Sequence, residues 1–100
     1  MHAMYAIAIL RYRRPLEEIL PFVEPHRAYL RTLKDQGILI ASGPFVPRTG
    51  GALLLKIPSA DLALLDRIRE EDPFTKQGLA QYEIWPWDVN LGNEILSKQP

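Results

Sequence analysis

From Tyr5 to Tyr12 the chain is apolar at nearly every position, with Tyr5, Ile7 and Ile9 alternating with Ala6, Ala8 and Leu10. Such a run predicts a strand covered on both faces. Pro15 and Pro21 punctuate the segment that follows, and Leu16 to Leu20 fits a single helical turn. A longer helix is predicted from Pro21 or Pro25 to Gln36. Phe22, His26, Tyr29, Leu30 and Leu33 recur on one face, and Arg27, Arg31, Lys34 and Asp35 recur on the other. Proline fits a first turn because its missing N–H has no partner there anyway. Gly37 ends the helix.

Ile38 to Ala41 predicts a second strand, leading into the turn-like Ser42-Gly43-Pro44-Phe45. Val46 to Gly51 is turn chemistry, and Ala52 to Ile57 predicts a third strand. So short a connection implies an antiparallel hairpin. Ser59 is the expected N-cap of a second long helix, with Asp61 in its first turn and Leu62, Leu65 and Ile68 on its buried face. Pro73 pushes Asp72 out of helical geometry and stops it. Phe74 to Leu79 is expected as a loop. Ala80 to Trp85 predicts a fourth strand, built on Tyr82, Ile84 and Trp85 and closed by Pro86. Residues 88–100 are expected as a docked or irregular tail.

The order strand, helix, strand, strand, helix, strand is the split βαβ pattern of an α+β ferredoxin-like domain with a four-stranded antiparallel sheet. Helices on one face of such a sheet leave the other bare. Because the strands are apolar on both sides, the bare face is expected to pair with a second copy of the chain.

At 100 residues, one domain spanning 1–100 is the default, with a core of modest size. The charged side chains balance, 12 basic against 12 acidic, so no long-range field draws nucleic acid or an anionic membrane. Cysteine is absent, which removes disulfides and thiol chemistry. No apolar stretch is long enough to span a bilayer, and Met1 to Tyr5 lacks the layout of a signal peptide. A cytoplasmic location is therefore expected.

Candidate chemistry is sparse. His2 lies at the chain start. His26 sits among apolar neighbours in a helix, where imidazole fits either as a hydrogen-bonded core residue or as part of a site. Asp72 closes the acidic run Glu70-Glu71-Asp72 at a helix C-terminus, where negative charge opposes the dipole. Beside salt bridges, two compensations stand open: a side-chain hydrogen bond of an Asx-Pro turn, or a pocket in which Asp72 faces His26. In the second, the carboxylate fixes the imidazole tautomer and the two form an acid–base unit. Ser42 and Gly43 offer a hydroxyl and backbone N–H groups to an oxygen-bearing ligand, or simply a turn. Arg11, Arg13 and Arg14 cluster at a strand end, suited to an anionic ligand or to plain solvation. Gly50-Gly51 lacks the lysine and helix of a phosphate loop, and a single internal histidine gives no metal-ligand spacing. Neither a metal nor a cofactor is called for.

Pro25-His26-Arg27-Ala28-Tyr29-Leu30, Gly37, Ala41-Ser42-Gly43-Pro44, Pro47-Arg48-Thr49-Gly50-Gly51, Glu71-Asp72-Pro73-Phe74 and Gly78-Leu79-Ala80, in that order and spacing, resemble the YciI-like (YCII-related) family. The resemblance runs from about Met4 to Trp87. It implies a dimeric α+β barrel, dimerising through the sheets, and a pocket holding His26 and Asp72 together. One member of the family is a dehydrochlorinase acting on a chlorinated hydroquinone. The wider superfamily includes muconolactone isomerases and cofactor-free monooxygenases. The resemblance therefore implies a small-molecule enzyme acting by elimination, isomerisation or lactone chemistry on a small cyclic or aromatic oxygenated compound. A ligand-binding or accessory dimer without turnover is the alternative. In the enzyme reading His26 and Asp72 move the proton, and Ser42, Gly43 and Pro44 hold an oxygen. Arg14 or Arg48 takes an anionic group, while Phe74 and Tyr5 wall the pocket.

Overall fold

A computed structural model of the chain describes residues 4–58 and 61–98. The strands are β1 (Met4–Tyr12), β2 (Leu39–Pro44), β3 (Gly50–Ile57) and β4 (Ala80–Trp87). The helices are α1 (Leu16–Ile19), continued by a 3-10 turn at Leu20–Phe22, then α2 (Val23–Asp35), α3 (Leu62–Glu71), α4 (Pro73–Lys76) and α5 (Asn93–Ser97). The strands form one antiparallel sheet in the order β2-β3-β1-β4. This is the expected α+β ferredoxin-like arrangement.

One sheet face carries the core. Ala6, Ala8 and Leu10 of β1 stand beside Leu53, Leu55 and Ile57 of β3 and Ala80 and Tyr82 of β4. Leu30 and Leu33 of α2, Leu65 and Ile68 of α3 and Phe74 of α4 close over them. The small side chains of Ala6 and Ala8 leave room for the large residues of the helices. Each fully buried leucine or isoleucine contributes about 1.5–3 kcal/mol. Leu55 or Ile68 cut to alanine is the kind of single change that would break this layer, at about 2–5 kcal/mol.

The opposite face carries Ile7, Ile9, Ala52, Leu54, Trp85 and Trp87, and no helix of the core cluster lies on it. Trp85 and Trp87 are 59% and 42% exposed.

Several boundaries differ from the sequence reading, each for a local reason. Ser42, Gly43 and Pro44 belong to β2, and Pro86 belongs to β4. Both are edge strands, where a proline's missing N–H can face away from the sheet. Phe74 is not in a loop: Pro73 occupies the first turn of α4, with Asp72 as its cap. Asp61 rather than a first-turn position takes the N-cap of α3, accepting from the Leu64 N–H at 3.0 Å. The expected cap Ser59, like His2, lies outside the described residues. The tail holds the short helix α5, and Val89 before it is buried.

One irregularity bears on function. Leu39 opposes Leu55, but Ala41 opposes Leu54 and Ser42 opposes Leu53, so β2 carries an extra residue at Ile40. A one-residue slip exchanges the faces of every residue beyond it. In unbroken register Ser42 would lie on the open face. The bulge turns it to the helix side.

Candidate active site: a histidine–carboxylate pair at a single-ring cleft

The site begins with the Asp72-Pro73 step. Asp72 adopts extended geometry (φ −68°, ψ 128°), ending α3 and starting α4 in one residue. Its Oδ1 accepts from the Phe74 backbone N–H at 2.8 Å, a helix cap. The same oxygen lies 2.9 Å from His26 Nδ1, and Oδ2 accepts from the Tyr82 hydroxyl. The two compensations open in the sequence thus occur together: one carboxylate both makes the turn and meets the histidine.

Asp72 is fully buried, the one charged residue in the core of the described chain. Three donors converge on it, which is how an ionised carboxylate tolerates burial. Toward a carboxylate the His26 Nδ1 serves as the donor, and Nε2 is the ring nitrogen outside this contact. The imidazole also stacks on the Phe74 ring, centroids 4.0 Å apart and planes 5° from parallel. Phe74 is held edge-on by Tyr12 at 6.0 Å. The ring therefore has little freedom to rotate away.

Tyr82 was read in the sequence only as a large strand residue. It proves to be the third partner of Asp72, and its signal was its place in phase with Ala80 and Ile84, the core side of β4, where a buried phenol needs a partner. Burial first, then the charge and hydrogen bond of Asp72, hold this phenol protonated far above its ordinary range. Tyr29 is shifted the same way, by burial and then by Glu71 and Asp72, while its hydroxyl donates to the Ile68 carbonyl at 2.9 Å.

His26 lines a cleft of about 180 Å³ between α2, α4 and the β2–β3 end of the sheet. A pocket of about 150 Å³ is enough for benzene, so this one suits a single substituted ring. Tyr12, Leu30, Leu53 and Phe74 supply apolar walls, and Ser42, Gly43, Pro44 and Arg48 the opposite rim. Gly50 and Gly51 at that rim must be glycine. A Cβ on the first would lie 1.9 Å from the Leu10 carbonyl oxygen, and on the second 2.6 Å from that of Gly43. A second hollow between α2 and α3, about 250 Å³, is larger but contains no histidine, and its tyrosine is already bonded.

Six of the residues singled out in the sequence therefore share the cleft: His26, Ser42, Gly43, Pro44, Arg48 and Phe74. Asp72 stands behind them. Tyr5 and Arg14 do not join. Tyr5 is out of phase with Ala6 and Ala8, so its side chain leaves the sheet on the other side. Arg14 is exposed and pairs with Glu18 at 3.1 Å, one helical turn on. Among the described residues no three side chains of metal-ligating type cluster, and no helix is long and apolar enough to cross a membrane.

Fold and site together define a ferredoxin-like α+β protein with a cleft lined by His26, which meets the buried carboxylate of Asp72. Residues 4–88 match the YCII-related domain, and the chain belongs to that family. Among solved structures it is similar to the 5-chloro-2-hydroxyhydroquinone dehydrochlorinase of Burkholderia phenoliruptrix, in complex with 2,5-dihydroxybenzoquinone. The identity is 28% and the TM-score 0.68, over 85% of this chain and 95% of that one. No curated protein sequence matches the chain.

Proposed function

We propose that this protein is a small-molecule enzyme that moves protons on a single-ring, oxygenated substrate, with His26 as acid–base residue and Asp72 as its partner. The observation that carries this reading is the 2.9 Å contact between His26 Nδ1 and a carboxylate that accepts from two further donors. The Nε2 outside this contact belongs to a side chain lining a cleft of ring size. The similar dehydrochlorinase, by its name, removes the elements of hydrogen chloride from a hydroxylated ring.

In an elimination, Nε2 takes a proton from the substrate. The electron pair left behind forms the new double bond, and the leaving group departs with its own bonding pair. In an isomerisation, the imidazolium returns the same proton to another ring carbon. Either way Asp72 stabilises the transient imidazolium, and the Ser42 hydroxyl holds a substrate oxygen. A positioned acid–base group contributes ~10²–10⁴-fold in rate.

The same reading includes a homodimer. Ile7, Ile9, Leu54, Trp85 and Trp87 make an apolar face that nothing in the core cluster covers, and a second copy would bury it.

The test is product formation by the pure protein on chlorinated and unchlorinated hydroxyhydroquinones and hydroxybenzoates, followed by absorbance and by chloride release. His26→Asn should lower turnover by ~10²–10⁴-fold with the fold intact. Saturable binding without product would replace the enzyme by a ligand-binding protein.

A further inference from the structure

The acid–base pair explains one side of the cleft and leaves Arg48, on the other, without a purpose. Among the described residues every ion-paired arginine is elsewhere engaged: Arg14 with Glu18, Arg27 and Arg31 with Glu24, and Arg69 with Asp66. Arg48 forms no ion pair in that set, and its Nε is sealed from water with no hydrogen-bond partner. With Nε closed off, the charge of Arg48 is left to its terminal Nη groups, which no carboxylate of the described residues meets.

Arg48 is not there by loose accident. Its loop is fixed by Phe45 N–H to the Gly50 carbonyl at 2.9 Å, Thr49 N–H to the Pro47 carbonyl at 2.8 Å, and Tyr12 N–H to the Thr49 carbonyl at 3.0 Å. No acidic side chain lines the cleft among the described residues, whereas Arg48 does. Arg27, on the same cleft, is taken up by Glu24, and the nearby carboxylate of Asp72 is fully buried and accepts from three donors. A chain with no net charge thus leaves Arg48 as the unpaired cation of the cleft.

Building on the proton-transfer reading, we propose that Arg48 reads a carboxylate on the substrate, so that the enzyme acts on a ring carboxylic acid rather than on a neutral phenol. The two terminal Nη–H groups of a guanidinium form a planar fork that matches the two oxygens of a carboxylate. A carboxylate is charged at neutral pH, whereas a phenol is not. A ring of the size the cleft takes carries the acid to the Arg48 rim while its hydroxylated carbons meet His26.

Calorimetric titration with 2,5-dihydroxybenzoate and with its methyl ester tests this, since the ester keeps the ring and both hydroxyls, adds a methyl group and removes the charge. The wild-type protein should bind the acid roughly 10- to 100-fold more tightly than the ester, the yield of one charge-assisted pair. Arg48→Gln should erase that preference while ester binding stays unchanged. Arg48→Lys should keep only part of it. The Arg48 Nη–H resonances should move downfield with the acid and stay in place with the ester, a readout that needs no variant. Equal binding of acid and ester, no binding of either, or a preference surviving in Arg48→Gln would overturn the proposal. His26→Asn separates the two readings: it should spare the acid-over-ester preference while stopping turnover. Undiminished turnover in that variant would sink the proton-transfer reading and leave the carboxylate reading standing on its binding data.

Discussion

The two faces of the sheet are nearly equal in hydrophobicity and opposite in fate. On the helix side, Ala6, Ala8, Leu53 and Leu55 are closed over by α2, α3 and α4 of the same chain. There the apolar layer can house a buried carboxylate, because Phe74 N–H, Tyr82 and His26 all reach it. On the other side Ile7, Leu54, Trp85 and Trp87 form a surface with no buried polar cluster of this kind. The contrast is one of donors: only on the face that the chain closes over itself do three of them meet one buried carboxylate.

The largest blow to that contrast should come from Asp72→Ala. It strands the Tyr82 hydroxyl, the Phe74 N–H and His26 Nδ1 in the core, so chemical denaturation should show a loss of about 3–5 kcal/mol. A loss below 1 kcal/mol would mean the cluster is not the anchor of the covered face. On the open face, Trp85→Glu together with Trp87→Glu should leave the protomer folded while dissociating the proposed dimer, seen by light scattering. Unchanged mass would remove the second copy from that face.

Next in size is an alkaline effect specific to the covered face. Tyr82 has its folded pKa raised above the ordinary 10.0. Above pH 10 the unfolded chain therefore releases a proton that the fold retains. Stability should be full below that pH and decline as pH rises further, by up to about 1.4 kcal/mol per pH unit. Tyr82→Phe should be less stable at neutral pH and flatter above pH 10; an equally steep decline would assign the effect to other groups. The smallest effect is expected at Ser42→Ala: KM raised a few-fold, with melting temperature within a degree or two. A change in kcat alone would contradict a holding role.

Much of this was legible in the chain. Short apolar runs bounded by glycine and proline marked the four strands, helical spacing marked α2 and α3, and Pro73 marked the break that puts Asp72 in place. The histidine stood out because an imidazole on an apolar helix face invites a partner. What stayed hidden was non-local. Tyr82 has the same local pattern as any large strand residue, and only the pairing of β4 with β1 sets it beside Asp72. Tyr5 and Phe74 are equally aromatic in the sequence, yet strand phase sends Tyr5 to the wrong side. Arg14 and Arg48 are equally cationic, yet one has Glu18 a turn away and the other meets no carboxylate among the described residues.

The chain by itself determined its elements, their order and thereby the sheet, because helix and strand periodicities and proline breaks are local properties. The tertiary structure alone decided which face each strand residue took, through the extra residue at Ile40 that turns Ser42 toward the cleft. It also decided that His26, Asp72 and Tyr82 meet. Register and burial are settled between segments far apart in sequence, and no window of neighbouring residues contains that information.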